Sequence, residues 1–260
     1  MIRLKNAQQL EGIRRASRIL STVLEELIGR VEPGVSGLDL DRYAYERITE
    51  LGGRPSFLGY MDFPASLCVS VDRAVIHGIP DRTKLRAGQV VGIDCGVQID
   101  GYYSDSAVTV PVGPVTAEIR KLLEVTEESL YLAIAEAKVG NRIHDVSRAV
   151  YRRTKSEGYG VVRPYCGHGV GLEIHEDPQV PNYVGKGPNP RLKPGMVIAI
   201  EPMINLGGDD VRVLDDDWTV VTTDGSISAH FEHTVAILED RTEILTLRPG
   251  SPHGLRAEAV

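Results

Sequence analysis

The chain has few cysteines: only Cys68, Cys95 and Cys166 occur among its 260 residues, and they lie far apart. Three widely separated cysteines provide neither the paired spacing of a structural zinc site nor a disulfide framework. Proteins of oxidising compartments commonly rely on such frameworks. We therefore expect a protein of a reducing compartment, namely the cytoplasm.

Long apolar runs and excess positive charge are also missing. No uninterrupted apolar stretch approaches the roughly 18 residues of a membrane-spanning helix. The first fifteen residues, MIRLKNAQQLEGIRR, are too charged for a secretory signal peptide. The net charge of −7 and the pI near 5.5 argue against nucleic acids and membrane surfaces as partners. A hydrophobic content of 42% is ample for a sizeable core, and we expect one domain over residues 1–260.

Periodicity predicts four helices and a set of hairpin-connected strands. The first helix extends from about Asn6 to Arg30, where a Glu-Pro-Gly sequence ends it. The other helices are predicted over about 38–51, 116–138 and from residue 141 to near residue 158. Strands are predicted over about 67–71, 90–110, 195–205, 218–223, 228–238 and 243–247. Because hairpins outnumber strand–helix–strand units, the pattern predicts an α+β fold with an antiparallel sheet.

Two stretches 106 residues apart resemble each other. Aligning Gly34 with Gly140 gives six identities in nineteen positions, ending at Gly52 and Gly158. This similarity predicts an internal duplication with halves of about 1–112 and 113–250. Residues 248–260 are predicted to form a loosely ordered tail.

The stretch 90–110, VVGIDCGVQIDGYYSDSAVTV, predicts a hairpin that turns at Asp100-Gly101. With that turn, paired residues have numbers that sum to 201, so Asp94 lies opposite Ala107. Asp94 and Asp105 then share a face as diagonal neighbours about 7–8 Å apart, within reach of one cation. Two interpretations stay open at this point: a solvated polar face and a binding site.

Four other stretches place ionisable residues beside glycines or inside apolar runs. They are PYCGHGVGLEIHED with His168 and His175, KPGMVIAIEPM with Glu201, SAHFEHTVAIL with Glu232 predicted inside a strand, and VIHGIP with His77. Each stretch also has a structural interpretation. His168 could be a turn histidine, Glu201 and Glu232 could form ion pairs at strand edges, and His77 could be a structural histidine. Together, the two aspartates, two glutamates and one histidine form a set of ligands that suits a pair of divalent ions such as Mn(II), Fe(II), Co(II) or Zn(II). Without cations, four crowded carboxylates would repel one another strongly.

These motifs together resemble the type I methionine aminopeptidases, which have the pita-bread fold. The resemblance covers about residues 6–247 and is carried by IDCGVQIDGYYSDSAVT, HGIP, CGHGVGLEIHEDP, GMVIAIEPM and SAHFEHTV. It implies two pseudo-twofold halves with a curved antiparallel sheet covered by helices. It also implies five ligands for two divalent metal ions. Asp105 and Glu232 would bridge the ions, Asp94 would complete one site, and His168 and Glu201 the other.

The reaction implied by the resemblance is removal of the N-terminal methionine from nascent polypeptides. A water or hydroxide between the metals would attack the first carbonyl, and Glu201 would pass its proton to the departing amine. His175 is similar to the family's hydrogen-bond donor to the carbonyl oxygen. His77 is similar to the histidine that contacts the scissile amide or the second residue. The resemblance further implies a monomer that works near the ribosomal exit tunnel, with no recognition of nucleic-acid sequence and no membrane partner.

The family's methionine pocket corresponds to five positions of this chain, Tyr60, Phe63, Cys68, Ile174 and Trp218. A soft pocket with aromatic walls suits a thioether, whose sulfur packs well at ring edges. Phe63 and Ile174 replace larger or more polar residues that are frequent in the family, which alters the shape of the pocket but leaves it apolar. The alternative for Trp218 is an ordinary, partly buried core tryptophan.

Two other functions are compatible with these motifs. X-Pro peptidases, namely aminopeptidase P and prolidase, are similar in fold and in ligands. They usually carry an additional N-terminal domain, which we do not expect here, and the HGIP and EPM sequences favour the methionine enzymes. A non-catalytic peptide-binding module would have lost metal ligands, whereas this chain has all five together with His77 and His175.

Overall fold

The computed structural model describes residues 1–251, so most of the predicted tail, residues 252–260, lies outside the described residues. Its helices are α1 (Ala7–Ile28), α2 (Gly37–Glu50), α3 (Ala117–Glu136) and α4 (Ile143–Lys155). The side chains of Asn6, Ser36 and Thr116 accept a hydrogen bond from a backbone N–H in the first turn of α1, α2 and α3. Such caps satisfy donors that a helix start leaves without a partner. The four predicted helices are confirmed to within a few residues.

Fifteen strands, most of them short, occur within residues 1–251. They are β1 (Arg54–Pro55), β2 (Leu67–Val71), β3 (Ala74–Ile76), β4 (Val90–Ile99), β5 (Tyr102–Pro111), β6 (Gly160–Val161), β7 (Gly167–Gly169), β8 (Glu176–Val180), β9 (Val197–Ile200), β10 (Met203–Asn205), β11 (Val211–Val213), β12 (Val220–Thr222), β13 (Ser228–His230), β14 (His233–Ile237) and β15 (Thr242–Ile244). The sequence pattern does not predict β1, β3, β6, β7, β8 or β11.

Two strand predictions are wrong because each predicted strand is broken in two. The first is interrupted at Glu201-Pro202, where proline lacks the N–H that a ladder needs. The second is interrupted at Phe231-Glu232, so Glu232 lies between β13 and β14 rather than inside a strand. There the Glu232 N–H donates to Ala107 O of β5 over 2.9 Å. Both breaks release a carboxylate-bearing residue from the strand ladder.

All strand pairs are antiparallel, which confirms the predicted α+β class. β4 pairs with β1, β2 and β5, and a second sheet has the order β15-β14-β9-β7-β8. Two smaller sheets have the orders β13-β10-β6 and β11-β12-β3. In the β4–β5 hairpin, Asp94 lies opposite Ala107 and Gly96 opposite Asp105, so the predicted register is confirmed.

Hydrogen bonds between β5 and the segment around β14 join the hairpin to the later sheet. Thr234 Oγ1 donates to Asp105 O over 2.7 Å, and Ser106 Oγ donates to Glu232 O over 2.7 Å. Both contacts are buried, so water does not compete with them. They bring Asp105 and Glu232, 127 residues apart in the chain, to the same place.

The main apolar core lies where the helices cover the sheets. Leu20, Leu24 and Leu27 of α1 pack there with Ile93 of β4 and Leu122 of α3, and all five are fully buried. Burial of apolar surface is the main force that holds these layers together. The first half contains a long helix followed by a shorter one, and so does the second half. Within residues 1–251, no helix has the length and apolarity needed to cross a membrane.

Candidate active site

A cavity of about 230 Å³ brings together the five residues expected to bind metal. Its wall includes Asp94 from β4, Asp105 from β5 and His168 from β7. Glu201 and Glu232 reach the same cavity from the two strand breaks. The site therefore lies where the hairpin meets the later sheet.

The single histidine of this group points a ring nitrogen at the carboxylates. His168 Nε2 lies 3.8 Å from Asp105 Oδ2 and 3.7 Å from Glu201 Oε1. Its Nδ1 lies 3.0 Å from the carbonyl oxygen of Gly169, which can only accept, so Nδ1 carries the proton. The lone pair of Nε2 is then free to bind a metal ion.

Possible ligand atoms within the site form three overlapping groups. In each group these atoms lie within 4.8 Å of one another. The groups are Asp94 with Asp105 and Glu232, His168 with Glu201 and Glu232, and Asp105 with His168 and His175. Asp105 and Glu232 each belong to two groups, so the separation of the donors allows either carboxylate to be shared.

The carboxylates fall into two electrostatic classes. Burial, reinforced by the neighbouring acids, raises the pKa of Asp105 and of Glu232 well above the ordinary values. Burial also raises the pKa of Asp94 to about 7. Burial acts in the same direction on Glu201, but the neighbouring His230 and His168 outweigh it and lower the pKa of Glu201. Glu201 is thus the carboxylate that stays ionised most readily.

Unsatisfied oxygens provide a test of whether these residues fit divalent metal ions. Asp94 Oδ1, Asp105 Oδ1 and Glu232 Oε1 are buried and have no hydrogen-bond partner within residues 1–251. Buried polar atoms without a partner are rare in folded proteins, and each needs an explanation. Four carboxylates and one imidazole are ligands that Mn(II), Fe(II), Co(II) and Zn(II) accept. The donor set therefore fits divalent metal ions.

In the metal-depleted protein, we expect Asp105→Asn to raise the melting temperature at pH 8. Burial and the neighbouring acids raise the pKa of Asp105, so burying this group at pH 8 costs stability, and asparagine removes that cost. Relief of about 1 kcal/mol would shift the melting temperature by about 2–4 °C in a domain of this size. Added Mn(II) should stabilise the wild type and should stabilise the variant much less. Differential scanning calorimetry with and without Mn(II) measures both effects.

Asp41 provides a matched control for this substitution. Its Oδ1 accepts hydrogen bonds from the N–H groups of Ser66 and Leu67 at 2.8 and 2.9 Å, so its charge has partners. Burial raises the pKa of Asp41 too, but asparagine keeps the accepting oxygen and no crowded carboxylates are relieved, so Asp41→Asn should change the melting temperature of the metal-depleted protein less than Asp105→Asn does. If Asp105→Asn lowers the melting temperature, repulsion does not dominate in the cluster.

Apolar side chains form another part of the wall of the 230 Å³ cavity. Tyr60, Phe63, Cys68 and Trp218 line it, and the ring of Phe63 packs edge-on against Trp218 with centroids 5.0 Å apart. Ile174 belongs to the same buried apolar cluster but does not line the cavity. The cavity thus pairs an apolar wall with a wall of carboxylates.

Two residues of the apolar wall are missed by sequence reasoning. Phe57 and Met61 both line the cavity. Phe57 belongs to an aromatic stretch with Tyr60 and Phe63, and that clustering is a signal that could have identified it. Met61 has a φ of 47° and is 73% exposed at the mouth of the cavity. Sequence periodicity carries no signal for such a left-handed residue.

Two histidines lie at the junction between the small cavity and a larger one. His175 Nδ1 lies 2.9 Å from the hydroxyl of Tyr60, and burial lowers the pKa of His175 to about 4. Burial likewise lowers the pKa of His77, whose ring packs edge-on against Tyr165 at 5.7 Å and Trp218 at 6.1 Å. Both imidazoles are therefore neutral near pH 7, and each can donate one N–H.

The larger cavity has a volume of about 810 Å³ and continues outward from the carboxylates. It shares His77, His168, His175 and Glu201 with the smaller cavity. Its outer wall is charged and includes Arg3 beside acidic residues of the segment 173–177. The two cavities form one continuous groove, and these four ionisable side chains lie where the cavities join.

A buried ion pair fastens the loop that carries His175. Lys5 Nζ lies 2.7 Å from Glu176 Oε2, and both side chains are only 1% exposed. Glu176 Oε1 accepts hydrogen bonds from the N–H groups of Leu172 and Glu173. The first residues of the chain thereby hold one side of the groove in place.

Comparisons with known proteins extend these observations. Residues 11–239 match the family model described as metallopeptidase family M24. Over 247 residues the chain is 49% identical to the methionine aminopeptidase of Clostridium perfringens, which covers 95% of this chain and 99% of the relative. The crystal structure of methionine aminopeptidase from Thermotoga maritima superposes with a TM-score of 0.92 and 41% identity, over 95% of this chain and 99% of that one. Prolidase from Pyrococcus furiosus has a TM-score of 0.78 and 25% identity, over 94% of this chain and 65% of that one.

Proposed function

The chain belongs to metallopeptidase family M24, among its methionine aminopeptidases, and we propose that it removes the N-terminal methionine from nascent proteins. It is a metal-dependent enzyme of this family. The observation that carries the proposal is the 230 Å³ cavity, whose lining combines apolar side chains with a buried cluster of carboxylates. A pocket that holds a methionine side chain directly beside metal ligands places the first peptide bond at those ligands.

We propose that Asp94, Asp105, His168, Glu201 and Glu232 hold two divalent ions. Asp105 and Glu232 would be shared between the ions, since each belongs to two of the three donor groups. Asp94 would complete one site, and His168 and Glu201 the other. The donor set accepts Co, Mn, Fe(II) or Zn, so metal availability in the cell determines which ions bind.

Bound ions at this site would supply Lewis acidity and lower the pKa of a coordinated water. A residue of the protein would accept the proton that this water loses. Because the pKa of Glu201 is lowered, its carboxylate is ionised and can accept a proton as general base. It would then return that proton to the departing amine. This assigns Glu201 two roles, as a ligand and as a proton shuttle.

We propose that two histidines orient the substrate. When the Tyr60 hydroxyl donates a hydrogen bond to His175 Nδ1, the ring proton of His175 lies on Nε2. This N–H can then donate a hydrogen bond to the carbonyl oxygen of the first residue. His77 would contact the scissile amide or the second residue from the other side of the groove. Both residues line the two cavities, so both can reach a peptide that extends from one cavity into the other.

The two cavities divide the substrate between them in this proposal. The methionine side chain would pack against the ring edges of Phe63 and Trp218, where a thioether sulfur makes favourable contacts. Tyr60 and Cys68 complete that apolar pocket. The following residues would lie in the 810 Å³ cavity. The large volume of the outer cavity is consistent with a polypeptide substrate.

We also propose that the enzyme works as a monomer in the cytoplasm, on chains near the ribosomal exit tunnel. Its cysteines Cys68, Cys95 and Cys166 are all free, which agrees with a reducing compartment. The net charge of −7 supports neither recognition of nucleic-acid sequence nor membrane binding. A single catalytic domain with two related halves is the organisation that we propose for residues 1–260.

The purified protein loaded with Mn(II), Co(II) or Fe(II) is expected to release methionine from Met-Gly-Met-Met. Peptides that begin with Lys should remain intact because the part of the small cavity proposed for the side chain is lined by Phe63 and Trp218 and is apolar. X-Pro peptides are expected to remain intact as well. Liquid chromatography of the products at matched enzyme and peptide concentrations measures the release.

The metal-depleted protein is the control for this assay, and readdition of Mn(II) should restore activity. Preferential cleavage of X-Pro peptides would overturn the assignment in favour of the prolidase-like alternative. Peptide binding without cleavage by the metal-loaded protein would instead favour a non-catalytic binding module.

A further inference from the structure

His230 is a buried histidine that the proposed reaction leaves without a role. It is the last residue of β13, and only 4% of it is exposed. Thr109 Oγ1 accepts a hydrogen bond from the His230 N–H and donates one to the His230 carbonyl, each over 2.8 Å. His230 is also paired with Met203 of β10. The backbone of His230 is therefore held from both sides.

The ring of His230 faces Glu201. Its Nε2 lies 3.5 Å from Glu201 Oε2, whereas Oε1 of the same carboxylate lies 3.7 Å from His168 Nε2. The two oxygens of Glu201 thus face two different histidines. His230 Nε2 is buried and has no hydrogen-bond partner within residues 1–251. A buried nitrogen without a partner is unfavourable, and a modest shift toward Oε2 would provide one.

His230 is poorly placed to bind a metal ion itself. None of the three groups of possible ligand atoms found within residues 1–251 includes it. Its ring nitrogen faces a carboxylate oxygen at 3.5 Å, and such an acceptor favours an N–H rather than a lone pair. The geometry therefore favours a donor that orients a ligand over an additional ligand.

We propose that His230 is a positioning residue, whose Nε2–H donates to Glu201 Oε2 and keeps Oε1 directed at the metal site. The inference depends on the proposed role of Glu201 as a metal ligand. A hydrogen bond to one oxygen restricts rotation of the carboxylate, so the other oxygen meets an incoming ion in one orientation. Outer contacts of this kind typically change metal affinity or activity by about 10–100-fold when they are removed.

The test compares two substitutions of His230 in the full-length protein. His230→Leu replaces the ring with an apolar side chain that has no hydrogen-bond donor, and it should weaken the binding of Mn(II) by about 10–100-fold. It should also lower kcat for Met-Gly-Met-Met with little change in KM. His230→Gln carries an amide N–H that can occupy the place of Nε2–H, and it should restore most of both losses. Calorimetric titration of Mn(II) into metal-depleted protein measures the affinity.

His233 is a matched control three residues away. It is 2% exposed, and its ring nitrogens face the Tyr131 hydroxyl at 3.1 Å and Thr246 Oγ1 at 2.9 Å. His233→Leu should therefore retain the wild-type affinity for Mn(II), although it removes an equally buried imidazole.

Two outcomes would overturn the role of His230. If His230→Leu binds Mn(II) as tightly as the wild type, no orienting contact exists. If His230→Gln is as impaired as His230→Leu, the ring acts by packing rather than by donation. The Mn(II) titration requires no peptide, so the proposed peptidase function can fail in the cleavage assay while the result for His230 stands.

Discussion

Glu201→Gln is expected to reduce turnover of Met-Gly-Met-Met roughly a thousandfold, within the range for loss of a positioned general base. Glutamine has the shape of glutamate, and its amide oxygen can still face the metal site. It cannot accept a proton at pH 7, so proton transfer from water to the departing amine is lost. Stopped assays of methionine release, with bound metal counted by elemental analysis, measure turnover per loaded site.

Glu46→Gln is the control for this variant, since Glu46 is an exposed residue of α2 that lines neither cavity. It should leave turnover unchanged. Glu201→Gln should retain the wild-type fold by circular dichroism, because the substitution removes a buried charge and keeps the volume. Undiminished turnover with full metal occupancy would remove Glu201 from the proton-shuttle role.

The β4–β5 hairpin shows how much of the fold could be predicted from the sequence. An Asp-Gly turn determines which residues are opposite, and alternation then determines which of them share a face. The pairing of Asp94 with Ala107 follows from these two rules and is confirmed. The four helices were likewise predictable, because their apolar stripes and caps are local features.

The assembly of the site could not be predicted from local sequence patterns alone. Asp105 and Glu232 are 127 residues apart, and the contacts of Thr234 with the β5 backbone that align them are tertiary. Neighbouring glycines, apolar runs and the predicted hairpin identified each ionisable residue separately, and the chemistry of metal ligands grouped them. The resemblance to a family then assigned their roles. The structure gathers them in one cavity, whereas their roles as ligands and proton carriers stay predictions.

Other features have no local signature, or only a weak one. The break at Phe231-Glu232 occurs because the chain changes partners, from β10 to β9, and strand propensity does not encode that change. His230 offered a faint signal, because strand alternation places it on the same side as Glu232. Lys5 and Glu176 pair across 171 residues, and each alone is an ordinary charged residue in the sequence. Such contacts depend on the complete tertiary arrangement.

Lys5→Met, which removes one partner of the Lys5–Glu176 ion pair, is expected to cause a large loss of stability. Lys5 and Glu176 are each 1% exposed at the side chain, and Nζ lies 2.7 Å from the carboxylate. Removing one partner leaves a buried charge uncompensated, which typically lowers the free energy of unfolding by about 3–5 kcal/mol. The loop from Leu172 to His175 should loosen as well, since Glu176 also accepts two of its N–H groups. Urea denaturation and hydrogen exchange of residues 172–176 measure the two effects.

The pH dependence of stability gives an independent measure of the same pair. Lys5 and two backbone N–H groups outweigh the burial that opposes ionisation, so they lower the pKa of Glu176 below its ordinary value of 4.5. Between the two pKa values the unfolded chain binds more protons than the folded chain. The contribution of Glu176 is therefore complete above about pH 4.5 and is lost as the pH falls further. In Lys5→Met, this acid-side loss should be smaller than in the wild type.

Lys5→Met combined with Glu176→Gln separates the unpaired charge from the lost contacts. Glutamine keeps an oxygen for the N–H groups of Leu172 and Glu173 and carries no charge, so the double variant should recover most of the stability lost in Lys5→Met. Arg3→Ala is the control: Arg3 lies 3.6 Å from the same carboxylate but is 42% exposed, and its removal should cost much less stability than removal of Lys5. Equal losses in Lys5→Met and the double variant would show that the unpaired charge of Glu176 is not what destabilises Lys5→Met. In that case the buried ion pair is not what holds His175 at the groove.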